Sequence, residues 1–149
     1  RVLTASQAVE LIPRPVRINL ELKRTWRRGR LVRQVVRLVR RRHVTRRTVL
    51  SSFDPGLLRA LADSGIALAL LCRRKPRQAL QRAVRLGCVA LHPRVSLVTP
   101  SLVAEARAAG LRLHTWTVDE ARLARRVARM GVQGVFTNRP DRIREALGR

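Results

Sequence analysis

Tyrosine is absent from the 149 residues, and aromatic residues of all kinds make up only 3% of the chain. Within the Arg-rich stretch Leu31 to Arg41 no aromatic interleaves the basic residues, so the base-stacking component of single-strand binding is missing and nucleic acid is set aside as the main partner. Cysteine is nearly absent too. Cys72 and Cys88 each sit in an apolar run, where a free thiol behaves as a small hydrophobe, and neither a disulfide framework nor a zinc spacing follows. Long hydrophobic runs are missing: the longest, Ile66 to Cys72, falls far short of the roughly 20 residues that span a bilayer. Acidic residues are scarce, 9 against 33 basic ones, which gives a formal charge of +24. All but Lys23 and Lys75 of the basic residues are Arg, so a lysine inside a strand-like run stands out. Such a field attracts anions of any kind without choosing among them. The chain opens at Arg1 rather than Met, so the lack of a leader-like segment says little, and the expected compartment is the cytoplasm.

What is present is a regular alternation. Short β-rich runs at Val16 to Lys23, Thr48 to Ser52, Ile66 to Cys72, Cys88 to Leu91, Leu111 to Val118 and Gly134 to Thr137 are separated by helical patterns. The helices are expected over Leu31 to Arg41, Pro55 to Asp63, Pro76 to Leu86, Pro100 to Ala109, Asp119 to Met130 and Pro140 to Leu147, with a leading one over Thr4 to Leu11. Asp54-Pro55 and Thr99-Pro100 read as helix starts, and Gly65, Gly87, Gly110 and Gly131 as stops. Strict βα alternation implies parallel strands and an α/β fold. Six units of roughly 25 residues each correspond to the third to eighth strands of a (β/α)8 TIM-type barrel, which needs about 250 residues, with the first two units missing. A doubly wound sheet has less support because no Gly-rich phosphate loop follows any run. The expectation is one N-terminally truncated domain over residues 1–149, with 46% hydrophobic residues to build its core.

The run Ile18-Asn19-Leu20-Glu21-Leu22-Lys23 threads opposite charges through an apolar strand. Period-two alternation puts Asn19, Glu21 and Lys23 on one face and Ile18, Leu20 and Leu22 on the other. A carboxylate and an ammonium two apart near a strand end read either as a metal or phosphate site, or as a surface edge strand with a salt bridge.

Several strand ends together resemble the glycerophosphodiester phosphodiesterase family of TIM-barrel enzymes. They are Asn19 to Lys23; Leu50-Ser51-Ser52-Phe53-Asp54-Pro55; Leu91-His92-Pro93; Leu113-His114-Thr115-Trp116-Thr117-Val118; and Gly131 to Pro140. The resemblance implies a phosphoric diester hydrolase of lipid metabolism that uses Mg2+ or Ca2+ to cleave glycerophosphodiesters, such as glycerophosphocholine, to glycerol 3-phosphate and an alcohol. It places a metal ligand on Glu21, phosphate binding on Lys23, and substrate-pocket walls on Trp116 and, at the rim, Phe53. The βα spacing and the shared parity of their side chains lead to the expectation that Glu21, Lys23 and Trp116 share one strand-end rim.

The departures matter as much. The family's His-Arg-Gly segment, its Pro-Glu-Asn segment with two further acidic ligands, and its second catalytic His are not in this chain, so no catalytic residue is assigned here. His43 and His92 read as structural, and nothing assigns His114 a proton. Asp119 stands where the family often has Asn, and Asn138 where it commonly has Asp. The alternative to an enzyme is an incomplete barrel kept as an anion- or partner-binding module. From Arg24 to Arg47 there are 11 Arg and no acid; an all-Arg outer helix face reads first as solvated, with an anionic lipid surface as the functional alternative. Open strand edges at the two ends of a truncated barrel further imply self-association.

Overall fold

A computed structural model describes residues 2–148. Among the described residues six strands and seven α-helices alternate, and the strands follow chain order in the sheet, β1 to β6. The α/β expectation holds.

One compact unit ends at Ala69. It holds α1 (Ala5–Leu11), β1 (Ile18–Glu21), α2 (Arg28–Arg41), β2 (Thr48–Ser52), α3 (Pro55–Ala60) and the start of β3 (Ala67–Cys72). Thr4 caps α1 through a capping box with Gln7, and Asp54 caps α3 by accepting from the Gly56 amide, with Pro55 pre-setting the first turn. β1 and β2 pair in parallel, with Glu21 opposite Ser51. Leu50, Leu57, Leu58 and Leu61 are fully buried, and Val35 and Val39 of α2 join the apolar interior. α2 packs beside α3.

The second unit begins at Leu70 and carries the rest of β3, then α4 (Pro76–Arg85), β4 (Ala90–Pro93), α5 (Pro100–Ala108), β5 (Arg112–Thr115), α6 (Ala121–Arg129), β6 (Gly134–Val135) and α7 (Pro140–Ala146). β4 pairs in parallel with β5, and β5 with β6. Val118, Ala124 and Ile143 form a core cluster, with α6 against α7.

Helix ends set the strand starts. At Gly87, Gly110 and Gly131 the backbone is left-handed, and the next residue's amide reaches back five positions: Cys88 to Ala83, Leu111 to Ala106 and Val132 to Val127. This is the Schellman arrangement, in which glycine avoids the penalty a Cβ carries at positive φ. It explains one displaced boundary. Cys88, expected to open a strand, belongs to the cap of α4, so β4 starts two residues later and takes in His92 and Pro93. α2 ends in the same bond pattern, Val44 to Val39, but with His43 at φ 52 in the glycine position. His43 is thus an exposed helix cap.

Candidate functional site

In the first unit the period-two reading of β1 holds. Ile18 and Leu22 are buried, whereas Asn19, Glu21 and Lys23 lie on the exposed face. Lys23 Nζ hydrogen-bonds Glu21 Oε1, and the two side chains are 77% and 32% exposed. An ammonium and a carboxylate paired in water gain little from each other, so both remain available to a ligand. The neighbouring loop is stitched to this strand end by Ser52. Its buried hydroxyl donates to the Leu22 carbonyl (2.7 Å) and accepts from the Asp54 amide (3.0 Å). That bridge brackets Phe53, which is half-buried beyond the end of β2. Asp54 is committed elsewhere: one oxygen caps α3 and the other accepts from Arg28 Nη2 at 3.3 Å. The role of Ser52 was missed in the sequence, where a serine before a loop carries no distinguishing signal.

The second unit places Trp116 just past β5, half-buried, with its Nε1–H donated to the His92 carbonyl at 2.8 Å. The Arg73 guanidinium, just past β3, lies 6.0 Å from the Trp116 ring centre. His92, His114 and Phe136 form an aromatic cluster: the two imidazoles stack at 5.2 Å and 17°, and Phe136 presents its edge 5.0 Å from His92. Gly134 leaves room for this cluster, because a Cβ at that position would sit a tight 3.0 Å from the His114 ring. His92 is 1% exposed, and both its ring nitrogens lack a hydrogen-bond partner among the described residues. Burial, assisted by the neighbouring His114, lowers its pKa to about 3, so the ring is neutral. A neutral, enclosed imidazole fits the structural reading of His92.

Asp119 is the other organised group. Its Oδ1 accepts from Thr137 Oγ1 (2.9 Å) and the Asn138 amide (2.7 Å), and its Oδ2 accepts from Asn138 Nδ2 (2.9 Å). The bonds from Asn138 and Thr137 hold its carboxyl below the usual range. The two departures noted in the sequence therefore meet as one hydrogen-bonded pair. Cys72 and Cys88 are excluded as nucleophiles, because burial pushes both thiols up to about 11.

Glu21, Lys23, Phe53 and Trp116 each sit at or just beyond the C-terminal end of their own strand, where (β/α) folds carry chemistry. Among the described residues no three His, Cys, Asp or Glu side chains converge to hold a metal ion, and no helix is long and apolar enough to cross a membrane.

Known proteins share this fold. The chain is 30% identical to the curated "Probable glycerophosphodiester phosphodiesterase 2" of Mycobacterium tuberculosis, an alignment that takes in 89% of this chain but 55% of the relative. It therefore spans about half the length of that relative. An Oleispira antarctica phosphodiesterase, solved with the product sn-glycerol-3-phosphate, superposes with a TM-score of 0.88 at 23% identity, covering 97% of this chain and 61% of that one. A glycerophosphodiester phosphodiesterase from Parabacteroides distasonis gives 0.79 at 22% identity, covering 91% and 58%. These likenesses show the fold, that of a TIM barrel of which this chain carries six strands. With the model of the glycerophosphoryl diester phosphodiesterase family matching residues 9–142, nearly the whole length, the chain belongs to that family.

Proposed function

We propose that this chain forms part of a metal-dependent glycerophosphodiester hydrolase of lipid metabolism, releasing glycerol 3-phosphate and an alcohol. The observation that carries the reading is the exposed Glu21–Lys23 pair at the end of β1, in a chain that matches the family model over residues 9–142. The carboxylate is a hard oxygen donor of the kind Mg2+ and Ca2+ take, and it is accessible, so it fits as one ligand of such an ion. A divalent ion bound there would polarise a phosphoryl oxygen. Lys23 offsets the charge of the phosphate, while Trp116 and Phe53 contribute apolar walls for the organic part of the substrate. Proton transfer is left to the His pair that the family resemblance implies, because His92 is neutral and enclosed, His43 caps a helix and nothing assigns His114 a proton.

One carboxylate is far from the about six oxygens a divalent site wants, so the isolated chain should turn over glycerophosphocholine poorly or not at all. Extending it upstream by about 80 codons, which would restore two barrel units, is the test. The expected result is EDTA-sensitive release of glycerol 3-phosphate only by the extended protein. Equal, EDTA-sensitive turnover by the 149-residue chain would show that its own residues complete the site. No turnover by either would favour a binding module. We further propose that β1 and β6, the terminal strands of the sheet order, lead the isolated chain to self-associate, which sedimentation at low and physiological salt would detect.

A further inference from the structure

The 11 Arg residues between Arg24 and Arg47 do not all serve the same purpose. Four are tied into the protein. Arg28 pairs with Asp54, Arg40 donates to the Ser64 carbonyl, Arg42 bonds Ser6 and Glu10, and Arg47 donates to the carbonyls of Ile12, Pro13 and Val16. Arg30, Arg33, Arg37 and Arg41 are exposed and make no hydrogen bond or ion pair among the described residues. On a helix their offsets of three, seven and eleven fall within one narrow arc, giving a stripe about 16 Å long. No acid interrupts it. A fold satisfied with a merely solvated face has no need to hold four unpaired guanidinium groups in one line, where they repel each other.

The entrance of this helix adds a second feature. Trp26 is 84% exposed, and the Arg27 guanidinium lies 4.2 Å over its ring. Trp26 belongs to the Arg-rich run but lies outside the helical stretch read from the sequence, and an indole left in water there has no role in the core. Leu11, at 69% exposure, and Val16, at 49%, belong to the same unit. We propose that the Arg30–Arg33–Arg37–Arg41 stripe, with Trp26 at its end, docks the chain on the surface of an anionic lipid bilayer. The charge complementarity is direct: guanidinium groups face lipid phosphates, and an amphipathic ring has its preferred place at the headgroup boundary. Nucleic acid would meet the charge, but a lone indole is a poor stacking platform. The apolar face of α2, through Val35 and Val39, is buried in the protein, so the helix lies on the membrane rather than entering it. The proposal is independent of the hydrolase reading.

The test is co-sedimentation of the 149-residue chain with vesicles of phosphatidylcholine alone or with one quarter phosphatidylglycerol, at physiological salt. A triple variant R33Q/R37Q/R41Q is compared with R122Q/R125Q/R129Q, which removes the same charge from exposed positions of α6. The stripe variant should lose about 100-fold in affinity for the anionic vesicles and the α6 variant less than about 3-fold. In a W116F background, the emission of Trp26 should shift to the blue on binding. Equal losses in the two variants, or equal binding to neutral vesicles, would overturn the proposal. So would a single-stranded oligonucleotide that displaces the vesicles and depends on the same stripe.

Discussion

The ends of β1 and β4 carry their polar groups in opposite ways. At β1 a carboxylate and an ammonium stand in water on the open face of the strand. At β4 an imidazole is sealed beneath His114 and Phe136, neutral and, among the described residues, without a hydrogen-bond partner for either nitrogen. β1 alternates buried and exposed residues whereas every residue of β4 is buried, so what separates the two positions is access to water. A charged group survives where solvent or a ligand can reach it, whereas an enclosed group gives up its charge instead. A ligand can reach the pair at the first position, whereas the ring at the second is enclosed by its neighbours.

The largest effect that would break this contrast concerns Glu21. In the upstream-extended protein, Glu21→Gln should reduce glycerophosphocholine turnover by at least about 100-fold, given that even residues supporting a metal ligand cost about 10- to 100-fold. Its thermal midpoint should hardly move. Unchanged turnover would remove Glu21 from the site.

At β4 the expected effect is on stability. His92 stays neutral in the fold down to about 3 but protonates in the unfolded chain below 6.5. The unfolded state therefore takes up the extra proton, and stability present above 6.5 is lost as pH falls toward 3, by up to about 1.4 kcal/mol per pH unit. Urea titrations at pH 7.5 and 5 would show the loss. His92→Leu should flatten the dependence, and an unaltered slope in that variant would assign the titration to another group.

Asp119 and Asn138 allow a sharper comparison within the second unit. Asp119→Asn removes the charged acceptor, and Asn138→Asp sets two carboxylates against each other. Each single change should lower the thermal midpoint by about 3 °C or more, and the double exchange D119N/N138D should recover most of that loss. Additive losses would mean that the two residues do not act as a pair.

Smaller still, His43→Gly should stabilise the chain by about 1 kcal/mol by relieving a side chain at positive φ. Lys23→Met should change stability by less than about 0.5 kcal/mol, because its ion pair is exposed. A large loss there would mean that the pair is structural rather than free for a ligand.

Much of this was legible in the residues. The pattern of apolar runs, Pro after a capping side chain and Gly at helix stops located the six strands and seven α-helices of the described residues, because local backbone preference and one-sided burial both leave marks at fixed spacing. β2 appears at the bounds read from the sequence, Thr48–Ser52. Where boundaries moved, the cause was a hydrogen bond between neighbours in space or the reach of a cap. β1 is shorter than the run Val16 to Lys23, and β5 ends at Thr115 before the isolated Arg94–Trp116 bridge. The sequence by itself determined the αβ order and the parity that puts Asn19, Glu21 and Lys23 together, since these depend only on the period of a strand. It could not determine that Ser52 joins the end of β1 to the Phe53 loop, that Asp119 and Asn138 bond across 19 residues, or that His92 is dry and His43 is a cap. Those depend on how closely distant segments approach and on how much water is left between them, and only the tertiary structure sets either.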